Sequence, residues 1–187
     1  MSIEKDILFA IWFFAPAGLA NAAPVFANKI PHSDWLAKPL DFGKSLRGKR
    51  VFGEHKTFRG LLAGIIMAEI VVNVQRLLYD HSSWFHSISL YVNYHSANIW
   101  LLGFLFALGA LGFDALKSFF KRQIGVKPGG TWFPFDQIDY IVGGLLLSSI
   151  VVNLPHISYY WIGFIWFLLH PISTVIGWLL GLKDSPI

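Results

Sequence analysis

Residues 99–122 read IWLLGFLFALGALGFDALKSFFKR. From Ile99 to Phe113 the stretch carries no charge. Then Asp114, Lys117, Ser118, Lys121 and Arg122 follow at i, i+3, i+4, i+7 and i+8, which is one face of a helix. A helix needs roughly 20 mostly apolar residues to cross the hydrocarbon core of a bilayer, so this stretch reads as a transmembrane helix with a polar stripe at one end. Asp114 lies about two turns inside Arg122. An ionisable side chain at that depth is costly and faces the bundle interior or a wet cavity.

The rest of the chain fits the same solvent. Of its 187 residues 55% are hydrophobic and only 14% charged, against about 25% charged in soluble domains. Four further segments join Ile99–Phe120 as candidate spans: Ile7–Ala27, Gly60–Leu78, Ile138–Leu154 and Tyr159–Leu182. The fold expected is therefore an all-α polytopic membrane protein of about five transmembrane helices. Residues 1–187 form a single membrane-embedded domain, with cytoplasmic loops over about 28–59 and 121–137, and the length leaves no room for a separate soluble domain. Pro16, Pro24 and Pro171 are expected to kink their helices. With no cysteine, disulfides, thiol catalysis and cysteine metal sites are excluded.

Basic residues fix the expected orientation. Lys29, Lys38, Lys44, Arg47, Lys49, Arg50, Lys56 and Arg59 fall between the first two spans. Lys121, Arg122 and Lys127 fall between the third and fourth. By the positive-inside rule both loops are cytoplasmic, the N-terminus is outside, and the C-terminus with Lys183 is inside. Ala20-Asn21-Ala22 resembles a signal-peptidase site, but Glu4-Lys5-Asp6 is net negative and cleavage would put the basic loop outside. The first segment is read as a retained helix. The net charge of +4 then reflects membrane-abutting loops, and nucleic acid is not an expected partner.

Asp136 and Asp139, at i, i+3 where the fourth span begins, form a second constellation after the Lys127-Pro128-Gly129-Gly130 loop. One acid there would be explained by the positive end of a helix dipole. Two on one face suit Mg²⁺, a hard cation held by one or two carboxylates plus substrate phosphates. Asp114 can join them from the neighbouring helix. In the first loop, glycines recur among cations over Lys38–Gly60, so backbone amides can approach an anion closely. This is read as a polyphosphate-binding segment rather than a solvated polybasic one. Asn21 and Glu69 are the other polar residues deep in spans; Asn21 is carried as a site candidate and Glu69 as structural. The seven histidines show no ligand spacing and are assigned no metal.

Several stretches together resemble the archaeal CDP-archaeol synthase family, relatives of the CDP-diacylglycerol synthases. They are Asn21-Ala22-Ala23-Pro24, Asp41-Phe42-Gly43-Lys44, Gly48-Lys49-Arg50-Val51-Phe52-Gly53, His55-Lys56-Thr57-Phe58-Arg59-Gly60, Asp114–Arg122 and Phe135-Asp136-Gln137-Ile138-Asp139. The wider cytidylyltransferase signature has a histidine in its glycine loop and an arginine where Gln137 stands; these departures favour the archaeal branch. The resemblance implies transfer of a cytidylyl group from CTP to 2,3-bis-O-(geranylgeranyl)-sn-glycerol 1-phosphate, with release of pyrophosphate, at the cytoplasmic side of the cell membrane. It implies catalytic roles for Asp114, Lys117, Lys121, Asp136 and Asp139, with Asp114, Asp136 and Asp139 on Mg²⁺. It also implies nucleotide or phosphate contacts from Asn21, Lys44, Lys56, Thr57, Arg59, Lys117, Ser118, Lys121 and Arg122. The alternatives are a CTP-dependent polyprenol kinase and a non-enzymatic small-anion or lipid transporter. Transporters often carry repeated halves, and no repeat is seen.

Overall fold

The computed structural model describes residues 2–127 and 130–182. Lys183 and the Pro128-Gly129 pair lie outside the described residues. Six α-helices are described: α1 (Ile3–Ala27), α2 (Phe58–His81), the short α3 (Ser83–Ile88), α4 (Ile99–Gln123), α5 (Phe135–Ser148) and α6 (His156–Leu179). Two of the helix starts are capped by side chains. Thr57 Oγ1 accepts from the Gly60 amide at 3.1 Å to open α2, and Asn98 Oδ1 accepts from the Leu101 amide at 3.1 Å to open α4. All three prolines fall inside helices that continue past them.

Helices α1, α2, α4 and α6 are long and apolar enough to cross a membrane, with mean window hydropathies of 1.5, 1.7, 2.0 and 1.7. The fifth expected span differs. Helix α5 has 14 residues, about 21 Å of rise against a hydrocarbon core of about 30 Å. It stops because Ser148 and Ser149 turn their hydroxyls back onto the carbonyls of Leu145 and Leu146, and the Val151 and Val152 amides close a turn onto the Ser148 carbonyl. The chain then runs without helix to Pro155, which precedes α6. Val152 and Leu154 in that run are buried in the main core, so the apolar composition of Ile138–Leu154 serves the bundle interior.

The first loop departs from an all-α description by a two-residue-per-strand hairpin, β1 (Ser45–Leu46) with β2 (Lys49–Arg50). Its turn, Arg47-Gly48, has positive φ at both positions (51° and 78°), the geometry a two-residue hairpin demands.

The core is aromatic. Phe13 and Phe14 of α1 meet Phe106 of α4 edge-on, with centroids 5.2 and 5.8 Å apart, and Phe14 meets Trp166 of α6 at 5.5 Å. Trp166 donates its indole N–H to the Ala10 carbonyl at 3.0 Å. Helices α4 and α5 touch backbone to backbone: a Cβ on Gly109 would lie 2.2 Å from the Gly143 carbonyl oxygen. Only small residues permit such an approach between membrane helices. The contact has a consequence for chemistry. Asp114 and Lys117 follow Gly109 on α4, and Asp139 and Asp136 precede Gly143 on the antiparallel α5, so all four emerge at one end of the pair.

Candidate active site

At that end Lys117 is the hub. Its ammonium lies 2.7 Å from Asp139 Oδ2, 3.0 Å from Asp136 Oδ1 and 3.1 Å from Asp114 Oδ1. Lys121, one turn further along α4, donates to both oxygens of Asp136 at 3.0 and 3.1 Å. Lys56, at the end of the first loop, donates to Asp114 Oδ2. Three carboxylates and three ammonium groups thus interlock, and all six side chains are at most a quarter exposed. The charges balance, which buried ionic groups require.

A cavity of about 240 Å³ opens on this cluster, lined by Asn21, Asp114, Lys117, Asp136, Asp139 and His170. Helices α1, α4, α5 and α6 each contribute to its wall. The structure brings Asp114 and Lys117 of the α4 stripe and the two α5 acids together around this cavity, and Asn21 joins them from α1.

Other expected site residues do different work. Arg59 donates to Ser33 Oγ at 3.1 Å and to Asn28 Oδ1 at 2.8 Å, and pairs with Asp34 at 3.6 Å. It fastens the segment after α1 and does not line the cavity. Thr57 caps α2. Ser118 donates back to the Asp114 carbonyl at 2.9 Å, and Arg122 donates to the Lys127 carbonyl at 3.1 Å. Lys44 is exposed on the loop before β1. Glu69 lies beside Gly103 between α2 and α4, a helix-contact position.

The glycine-rich first loop also binds an anion of its own. The Asp41 carboxylate, whose side chain is fully buried, accepts from the Gly43 amide at 3.0 Å, the Phe52 amide at 3.0 Å and the Gly53 amide at 3.1 Å. Arg50 adds a charged donor at 2.9 Å. Gly43 and Gly53 have φ of 79° and 102°, values that turn their amides inward at no steric cost. Burial pushes the Asp41 carboxyl up, but Arg50 and the three amides outweigh it and hold it well below the usual carboxylate range.

His170 was not singled out by spacing. It stands on α6 with its ring 5.8 Å from that of Tyr140, whose hydroxyl donates to the Trp166 carbonyl at 2.8 Å. The usable signal was an ionisable ring in the middle of an apolar span, not a ligand motif.

The residues fit the Mg²⁺ expected from the sequence in donor type. Hard carboxylate oxygens from three side chains converge on one positive point, and Asp139 Oδ2, buried, meets Lys117 only as an ion pair without a directed hydrogen bond. With the ammonium at that point, no three His, Cys, Asp or Glu among the described residues are arranged around a free metal position.

A family profile described as CarS-like, CDP-archaeol synthase, matches residues 3–187. The chain belongs to the CDP-archaeol synthase family. The CDP-archaeol synthase of Methanocaldococcus jannaschii is 32% identical over 181 residues, covering 95% of this chain and 96% of the relative. That of Pyrococcus furiosus is 33% identical over 150 residues, covering 80% and 79%. A solved structure, described as an intramembrane enzyme for archaeal membrane lipids biosynthesis, superposes with a TM-score of 0.68 at 27% identity over 89% of this chain and 92% of its own. The resemblance carried by the motifs is thus the family shown, and a helical membrane enzyme is the fold and class shown with it.

Proposed function

We propose that the protein transfers CMP from CTP to 2,3-bis-O-(geranylgeranyl)-sn-glycerol 1-phosphate, forming CDP-activated unsaturated archaeol and pyrophosphate, at the cytoplasmic face of the membrane. The observation that carries the reading is the convergence of Lys117 with Asp114, Asp136 and Asp139 on one cavity, with Lys56 paired to Asp114 and Lys121 to Asp136 behind them. The basic loops lie at the same end of the bundle as this cluster, which supports the cytoplasmic side by the positive-inside rule.

An oxygen of the lipid phosphate attacks the α-phosphorus of CTP in line, a new P–O–P bond forms, and the bond to the β-phosphate oxygen breaks. No protein nucleophile is required, so the protein's contribution is positioning and charge stabilisation. The three lysines exchange their carboxylate partners for phosphate oxygens and stabilise the charge that gathers on departing pyrophosphate. Asp136 and Asp139, with Asp114, would hold Mg²⁺, which when bound neutralises triphosphate charge. Asn21 supplies a neutral hydrogen-bonding amide to the wall. Thr57, Arg59, Ser118 and Arg122 hold the helix ends and loops from which these groups project, and Lys44 adds positive charge at the approach.

The test is purified protein in lipid vesicles with CTP, Mg²⁺ and a panel of lipid phosphates. The expected result is pyrophosphate release in step with a CDP-lipid and fastest with the isoprenoid glycerol phosphate. Release of CDP with a newly phosphorylated polyprenol would establish the kinase reading instead.

A further inference from the structure

The first loop crosses itself at one place. The Leu40 amide donates to the Lys56 carbonyl at 2.7 Å, the Phe58 amide donates to the Lys38 carbonyl at 3.1 Å, and Pro39 bridges Thr57 between them. The backbone of Lys56 is therefore placed by residues 38–40. What keeps those residues there is Asp41. Its carboxylate gathers the Gly43, Phe52 and Gly53 amides and the Arg50 guanidinium, tying the outgoing and returning limbs of the loop together. The ring of Phe42, 5.4 Å from that of Phe58, closes the same crossing.

The knot is also fastened to the helix that carries the site. Lys49 donates to the Gln123 carbonyl at the end of α4, and Gln123 donates back to the Arg50 carbonyl at 3.5 Å. Lys56 then leaves the crossing and reaches Asp114 on the same helix. The loop thus meets α4 at both ends of its polar stripe.

We propose that Asp41 is a positioning residue for the transferase site: by folding the 38–57 loop into a knot latched to α4, it holds Lys56 over Asp114 where a triphosphate is received. The inference rests on the proposed CTP reaction and extends it to a residue that does not line the cavity. A buried carboxylate with this many donors is expensive to leave half-satisfied, so replacing it with an amide opens the crossing. Lys56 then samples a wider range of positions and loses its place as a phosphate ligand. Because Lys56 acts on the nucleotide and not on the lipid tails, the loss should appear in the KM for CTP.

The experiment is a double-mutant cycle between Asp41→Asn and Lys56→Ala, measured as KM for CTP and KM for the lipid phosphate. Each single variant is expected to raise the KM for CTP about tenfold, with the lipid KM within about twofold of wild type. The double variant should be no worse than Lys56→Ala alone, because coupled residues are not additive. Lys49→Ala, which loosens the latch while leaving the buried carboxylate in place, should raise the KM for CTP by a smaller factor and serves if Asp41→Asn does not insert. Full additivity of Asp41→Asn and Lys56→Ala, or equal rises in both KM values, would overturn the positioning role; so would a Lys49→Ala enzyme indistinguishable from wild type. Wild-type protein without CTP-dependent pyrophosphate release would instead remove the reaction on which the inference rests.

Discussion

Gly109 and Gly143 face each other so closely that a Cβ on either would lie within 2.2 Å of the other's carbonyl oxygen. This contact sets the spacing of α4 and α5, and with it the distance between Lys117 and the two α5 acids. Gly143→Ala is expected to force the helices apart at a cost of about 1–3 kcal/mol, the usual scale of overpacking. Turnover should fall with it, because Asp139 and Lys117 separate. Gly112→Ala, where a Cβ meets nothing within 4 Å, is the control and should leave thermal stability in detergent unchanged.

Lys117 touches three carboxylates and Lys121 touches one. Removing the hub leaves three buried negative charges without their shared partner, a change of about 3–5 kcal/mol in buried pairs. Lys117→Ala should therefore lower turnover by at least two decades and lower stability as well. Lys121→Ala should cost about 1.5–3 kcal/mol, the scale of one charge-assisted contact. The exposed Lys29→Ala should change neither. Equal small effects at all three positions would mean that the stripe only anchors α4 at the interface.

Asp136 and Asp139 differ in their surroundings, yet both are expected to be indispensable. Asp136→Asn and Asp139→Asn should each abolish turnover at low Mg²⁺ while the protein still inserts and elutes as a folded species. Substantial activity in the Asp136 variant would mark that residue as a support for the turn before α5, a role its bond from the Trp132 amide at 2.5 Å already shows it can fill.

How much of this was legible beforehand varies by residue. Periodicity placed Asp114, Lys117 and Lys121 on one face, and an i, i+3 spacing placed Asp136 and Asp139 on another, because helix geometry is local. That the two faces meet depends on Gly109 against Gly143, a contact between distant parts of the chain that no local pattern encodes. The end of α5 was misplaced by reading apolar composition as span length; Val152 and Leu154 are apolar because they fill the core outside any helix. The glycine-rich loop was read as a polyphosphate-binding segment; in the structure its Gly43, Phe52 and Gly53 amides turn onto Asp41 of the same chain. Arg59 illustrates the converse: its charge suggested phosphate, while its neighbours Asn28, Ser33 and Asp34 hold it elsewhere.

Asp41 also gives the loop a defined response to acid. Its folded carboxyl is held well below the usual range, so the ionised form contributes stability that is fully present above its ordinary value of about 3.9. That contribution is lost as pH falls from there toward the depressed folded value. Pepsin cleavage within residues 41–53, normalised to an unfolded reference peptide, should stay slow at pH 4 and accelerate only as pH drops further. In Asp41→Asn it should already be fast at pH 4. A wild-type loop cut equally fast at both would contradict the buried, multiply bonded carboxylate.

The fate of the phosphorus atoms of CTP separates cytidylyl transfer from phosphoryl transfer. Protein in vesicles containing the isoprenoid glycerol phosphate is given CTP labelled either at the α- or at the γ-phosphorus, with Mg²⁺ present. The account requires the α-label to enter the lipid, still attached to cytidine, and the γ-label to leave as pyrophosphate. It also requires both transfers to fail together in Lys117→Ala. Lipid carrying the γ-label, or α-label remaining entirely in soluble CDP, would contradict it.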